Sequence, residues 1–159
     1  MSNTRQPPRG RITILFTDIE DSTRMNCAFD DLIYHESMRE PHCQRMRAAI
    51  DCHDGFEVKT VGDSFMVAFE RADDAIACAA AMQQSLAEPP ITATDKDGKI
   101  WTVRVRIGVH TAERELVPQP EGDAGRIDYQ GRDVNFAARV ESLGAGGQTI
   151  VSDSAYRAA

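Results

Sequence analysis

FEVKTVGDSFMVAF, residues 56–69, holds two short runs rich in β-branched and aromatic residues, Phe56 to Thr60 and Ser64 to Phe69, joined at Val61-Gly62-Asp63. Glycine beside an acidic residue between two such runs signals a tight reversal, so the stretch is predicted to be a β-hairpin with Asp63 near its tip. Upstream, Arg11 to Phe16 (RITILF) has the composition of a buried strand ending at Thr17-Asp18. Ser22 or Thr23 is the predicted N-cap of helical sequence that reaches about Cys52, with Pro41 either kinking it or opening a second helix.

Downstream, Ala72 to Ala87 places Ile76, Ala79, Met82, Gln83 and Leu86 at helical spacing and ends before Pro89-Pro90. After a turn at Asp97-Gly98, Ile100 to His110 alternates Val103, Val105 and Ile107 with Arg104 and Arg106, the pattern of one half-buried strand with the arginines on its solvated face. The order strand, helix, strand, strand, helix, strand predicts an α+β fold with a ferredoxin-like, or palm-like, βαββαβ core. Glu113 to Arg126, broken by Pro118, Pro120, Gly122 and Gly125, is predicted to be an irregular arm. An added helix, Arg132 to Leu143, stops at Gly144, and an added strand follows at Gln148 to Val151. The expected sheet is mostly antiparallel and covered by helices.

This topology brings two carboxylates together. In such a core the first crossover makes strands one and two parallel, and the hairpin returns strand three antiparallel. Asp18, just past strand one, and Asp63, at the hairpin tip, then fall at the same edge of the sheet. Two acids so placed repel unless a cation lies between them, and Mg²⁺ favours one or two carboxylates plus substrate phosphate oxygens. Taken singly, either acid is more readily explained as a helix cap or a turn residue.

The 159 residues suffice for one domain, expected over residues 11–159, with Met1 to Gly10 reading as a linker. A formal net charge of -7 argues against a nucleic-acid surface, which needs clustered Lys and Arg. No apolar run approaches the roughly 20 residues of a membrane span, so no membrane contact is expected of this domain. Cys27, Cys43, Cys52 and Cys78 form no zinc-like spacing, and they read as free thiols of a reducing compartment. His35, His42, His53 and His110 likewise lack ligand spacing and read as surface or packing residues.

Taken together, FTDIEDST, VKTVGDSFMVAF, RVRIGVHT and IDYQGRDVNFAARVES resemble the class III adenylate and guanylate cyclase catalytic domain, most closely its bacterial and trypanosomal adenylate cyclases, over roughly Ile12 to Tyr156. The resemblance implies conversion of ATP to 3′,5′-cyclic AMP and pyrophosphate, with two divalent ions, Mg²⁺ or Mn²⁺, held by Asp18, Asp63 and the Ile19 carbonyl. It implies that Lys59 and Asp128 read the purine. A Lys donor and an Asp acceptor fit adenine, which accepts at N1 and donates at N6, better than guanine. By the same resemblance Asn135 orients the ribose and Arg139 stabilises charge on the α-phosphate. The two stand four apart on the predicted helix, on one face. Thr17 and the turn residues Glu20, Asp21, Ser22 and Thr23 are implied to cradle the triphosphate beside a helix N-terminus. Asp21 stands where many members have Gly.

The family's sites are shared, so a homodimer is expected in which one chain supplies the metal ligands and its partner the purine reader, Asn and Arg. The expected location is the cytoplasm, free or as the cytosolic domain of a larger protein. Members usually continue through a strand pair bearing a triphosphate-binding Lys without counterpart here, so the domain is expected to be truncated. Two alternatives stand beside this reading. One is an impaired cyclase-like domain that regulates by binding nucleotide or a partner; the other is a cyclase for another nucleotide such as GTP. A dinucleotide cyclase is disfavoured by the lack of a GGDEF-like run.

Overall fold

The computed structural model describes residues 5–159. A five-stranded sheet forms its centre, in the order β2-β3-β1-β6-β9, where β1 is Thr13–Ile19, β2 Phe56–Val61, β3 Ser64–Phe69, β6 Val105–Thr111 and β9 Thr149–Val151. Every neighbouring pair is antiparallel except β6 with β9. This is the expected α+β core with its added helix and strand.

Alternation along the strands sorts side chains to two layers. Leu15, Phe65, Val67, Ile107 and Val109 face the helices α3 (Glu40–Cys52) and α4 (Ala72–Ala87), where Met46, Ile50, Ala79 and Met82 are buried with them. Ile14, Met66 and Ala68 face the opposite layer, where they pack with Tyr129 and with Ala137 of α5 (Arg132–Ser142). Each fully buried Leu, Ile, Met or Phe contributes roughly 1.5–3 kcal/mol. Gln83, expected on the apolar face of α4, instead donates to the carbonyls of Val105 and Gln148 at 3.0 and 3.2 Å, tying the helix to β6.

Several boundaries differ from the sequence expectation. β1 runs on to Ile19, because Asp18 and Ile19 keep pairing with Arg106 and Val105. The helical stretch after it divides into α1 (Ser22–Ala28), α2 (Asp31–Tyr34), a π turn (His35–Arg39) and α3; Pro41 is the second residue of α3, which runs on from the π turn with Arg39 and Glu40 both in helical conformation. The N-cap of α1 is Asp21, not Ser22 or Thr23. The single strand expected over Ile100 to His110 is two: β5 (Ile100–Thr102) pairs with β4 (Thr92–Thr94) in a separate ribbon, and β6 begins at Val105. The expected irregular arm carries a second ribbon, β7 (Gln119–Glu121) with β8 (Arg126–Asp128). A closing helix, α6 (Asp153–Ala158), is capped by the Ser152 side chain.

The linker reading also changes. Residues 1–4 lie outside the described residues, but Arg5 donates to the Asp51 carbonyl at 2.9 Å, and the buried Pro8 carbonyl accepts from the Tyr129 hydroxyl at 2.6 Å. A buried carbonyl with a partner belongs to the packed domain. Among the described residues no helix is long and apolar enough to cross a membrane.

Two irregularities of packing set the positions of polar side chains at the sheet's rim and on α5. In β2, Glu57 pairs with Val67 but Lys59 with Met66, so Val58 is an extra residue forming a bulge. And α5 lies against β6 closely enough that a Cβ on Gly108 would sit 2.3 Å from the backbone nitrogen of Glu141.

Candidate active site

The two carboxylates meet at one rim. Pairing of Thr17 with Phe65 brings Asp18 beside Ser64, whose hydroxyl donates to Asp18 Oδ1 at 3.1 Å. Asp63 precedes Ser64 in the hairpin turn, where Gly62 takes a φ of 63°, a left-handed conformation that costs glycine little. The Asp63 carboxyl is raised above the usual carboxylate range, first by burial and next by the charge of Asp18. Its hydrogen-bond partners are the hydroxyls of Ser22 and Tyr34, and the Tyr34 phenol is pushed up to about 12 by its own burial and then by Asp63.

Arg106 is a member of this rim that the sequence did not reveal. It lies opposite Asp18 in the β1–β6 register, donates Nη2 to Asp18 Oδ2 at 2.5 Å, and has Nε 3.5 Å from Glu141 of α5. It was expected on a solvated face; that face is covered by α5. A pair of carboxylates, one of them raised by its neighbour's charge, is an oxygen donor set that suits a hard divalent cation such as Mg²⁺ or Mn²⁺.

On the α5 side of the sheet Lys59 Nζ donates to Asp128 Oδ2 at 2.6 Å. The bulge makes this pair. Glu57 and Lys59, two apart, would share a face in a regular strand, but here Glu57 binds Arg47 of α3 while Lys59 turns to β8 on the opposite layer. Asp128 is 5% exposed and also accepts from the Tyr129 N–H at 2.8 Å.

Asn135 and Arg139 lie one turn apart on the outer face of α5, both exposed, and their side chains make no hydrogen bond to any described residue. Phe136 and Leu143, 49% and 78% exposed, flank them. The helix that carries them is fixed from below: buried His110 of β6 bonds Asp133 through Nε2 and Ser152 through Nδ1, each at 2.9 Å.

The side chains of the turn after β1 go to different places. The Thr17 hydroxyl is buried and accepts from the Phe65 N–H at 3.2 Å, so it knits strands rather than facing a ligand. Glu20 turns away, its Oε1 accepting from the Gly146 N–H at 3.0 Å. Ser22 and Thr23 remain beside Asp63, lining one cavity with it. Asp21 has a φ of 57°, the conformation for which glycine is the usual residue. Its carboxylate is exposed and 3.7 Å from Arg24. The Ile19 side chain is buried in the core, which leaves only its backbone for a ligand.

Comparison with known proteins gives the family of this domain. The family model described as the adenylate and guanylate cyclase catalytic domain matches residues 4–159. The receptor-type adenylate cyclase GRESAG 4.1 of Trypanosoma brucei brucei is 33% identical over 187 residues, covering 98% of this chain and 15% of that protein. An adenylate cyclase of Lachancea kluyveri is 36% identical over 161 residues, covering 92% of this chain and 8% of that protein. The chain thus spans a small part of the length of these curated relatives. Among solved structures, a Trypanosoma brucei adenylate cyclase in its monomeric state superposes with a TM-score of 0.73 at 28% identity, covering 98% of this chain and 79% of that one. The guanylyl cyclase Cya2 superposes with a TM-score of 0.79 at 27% identity, covering 95% and 79%. With the family model spanning nearly the whole chain, the protein belongs to the adenylate and guanylate cyclase catalytic domain family.

Proposed function

We propose that this domain converts ATP to 3′,5′-cyclic AMP and pyrophosphate at sites shared between two copies of the chain. The observation that carries the reading is the meeting of Asp18 and Asp63 at one rim, with the Asp63 carboxyl raised by burial and by its neighbour's charge. Two divalent cations bound there, with the Ile19 carbonyl as a further donor, would supply Lewis acidity toward the ribose 3′-hydroxyl and the phosphates. Arg106, which bonds Asp18 at this rim, would offer its guanidinium to the triphosphate.

Lys59 donates to adenine N1 and Asp128 accepts from N6, and their mutual ion pair keeps both poised at one edge. Asn135 orients the ribose. Arg139, always protonated and able to bind two oxygens at once, stabilises the charge that builds on the α-phosphate as the 3′ oxygen attacks and pyrophosphate departs. Since little covalent work falls to side chains, positioning supplies most of the acceleration. The Asn135 and Arg139 side chains hydrogen-bond to no described residue of their own chain, and the exposed Phe136 and Leu143 beside them suit burial against a second copy.

Mixing Asp18→Ala with Asn135→Ala chains tests the shared site. Each variant alone is expected to be inactive, and the mixture to regain one working site per mixed dimer. A mixture that stays inactive although mixed dimers form refutes sharing. Turnover measured side by side with ATP and GTP decides between the two nucleotides.

A further inference from the structure

The proposed reaction leaves one cation of the rim without a task. Arg39 ends the π turn and donates Nη2 to the Gly62 carbonyl at 2.8 Å, at the hairpin tip next to Asp63. Among the described residues it makes no other hydrogen bond and no ion pair, so the rest of its guanidinium is unengaged. It lines a cavity of about 230 Å³ together with Ser22, Thr23, Asn26, Tyr34 and Asp63.

The π turn is what brings it there. In an α-helix, at about 100° per residue, side chains five apart diverge by about 140°. A π turn bonds each N–H to the carbonyl five residues back, as Glu40 N–H does to His35. Tyr34 and Arg39, five apart, therefore both reach the hairpin tip, the first at Asp63 and the second at Gly62.

Charge points the same way. Two carboxylates, two divalent cations and a triphosphate of about four negative charges leave about two negative charges over. Arg106 offsets one of them. Arg139, supplied by the second copy, serves the α-phosphate, so within the chain that carries the carboxylates Arg39, beside Asp63 at the hairpin tip, is a cation placed to offset charge at the far end. We propose that Arg39 binds the terminal phosphate of the nucleotide through its free guanidinium edge, in the same chain that carries Asp18 and Asp63. This rests on the cyclase reading above and names the residue that holds the far end of its substrate.

The test is calorimetric titration of Mn²⁺ with inorganic tripolyphosphate, and of Mn²⁺ alone, into the wild type and Arg39→Gln, which removes the charge and keeps a polar side chain. We expect the variant to bind tripolyphosphate about tenfold or more weakly and Mn²⁺ alone within about twofold of the wild type. Equal tripolyphosphate affinity in the two chains overturns the proposal. So does an equal loss for Mn²⁺ alone, which would make Arg39 a prop for Asp63, or a wild type that does not bind tripolyphosphate. Should Arg39→Gln not fold, Arg39→Lys is read in its place: it keeps the charge but not the fork, so a loss of about threefold supports the proposal and none overturns it. A wild type that binds tripolyphosphate and depends on Arg39 but forms no cyclic AMP would refute the cyclase reading and leave this assignment standing.

Discussion

Replacing Gly108 by Ala tests whether catalysis depends on the seating of α5. The new Cβ would lie 2.3 Å from the Glu141 backbone nitrogen and 2.5 Å from its Cα, where ordinary contact starts at 3.4 Å. Both obstacles are main-chain atoms of a helix, so no side-chain rotation relieves them, and α5 must lift from β6 by about 1 Å. Overpacking of this kind costs about 1–3 kcal/mol. The exposed pair Asn135 and Arg139 moves with the helix, and a displacement of about 1 Å at reacting groups is enough to slow catalysis about a hundredfold. Steady-state cyclic AMP formation should therefore fall by about that factor while thermal unfolding shifts only modestly. A variant with wild-type turnover and unchanged melting would refute the reasoning, since it would mean that neither packing nor rate depends on this contact.

Acid should weaken the fold through His42, which is buried, has no hydrogen-bond partner at Nε2 and titrates at about 4, lowered first by burial and then by Arg39 and Arg47. Because its folded value lies below the ordinary His value, its contribution is complete above about pH 6.5 and is lost as pH falls toward 4, amounting to about 3 kcal/mol; the urea-derived stability of the wild type should fall by about that much relative to His42→Leu between about pH 7 and 4, and a difference that stays constant with pH would refute it. Asp21→Gly should lower the KM for ATP about two- to tenfold by removing a negative charge beside the phosphate turn, with stability changed by less than about 1 kcal/mol because glycine accepts the φ of 57°; an unchanged KM would show that the carboxylate points clear of the substrate. Lys59→Glu should replace the donor at the purine edge by an acceptor and repel the nearly buried Asp128, so ATP turnover should fall at least about tenfold relative to GTP. An unaltered ATP to GTP ratio would remove Lys59 from base selection.

Much of this was legible in the sequence. The hairpin from Phe56 to Phe69 set the antiparallel return, and with it the meeting of Asp18 and Asp63, because strand order alone dictates which ends share a rim. The i, i+4 spacing of Asn135 and Arg139 likewise needs only helical geometry. Arg106 was hidden because alternation distinguishes two faces but does not say which one is wet. Arg106, Gly108 and His110 form the polar side of β6, yet α5 covers them. Thr17 and Glu20 were assigned to a ligand on proximity to Asp18, whereas their side chains serve the strand pairing and the loop at Gly146. The π turn escaped because it breaks the 3.6-residue period on which helix reading depends.

The surplus residue at Val58 has a wider consequence. On the proposed reading, nucleotide choice depends on strand register as well as on residue identity. Were Val58 paired as in a regular strand, Lys59 would fall on the α3 side beside Glu57 and Arg47, and the α5 side would lose its ammonium although no side chain had changed. Loss of Val58 itself leaves Lys59 opposite Met66, so a chain one residue shorter here is expected to keep the Lys59–Asp128 pair.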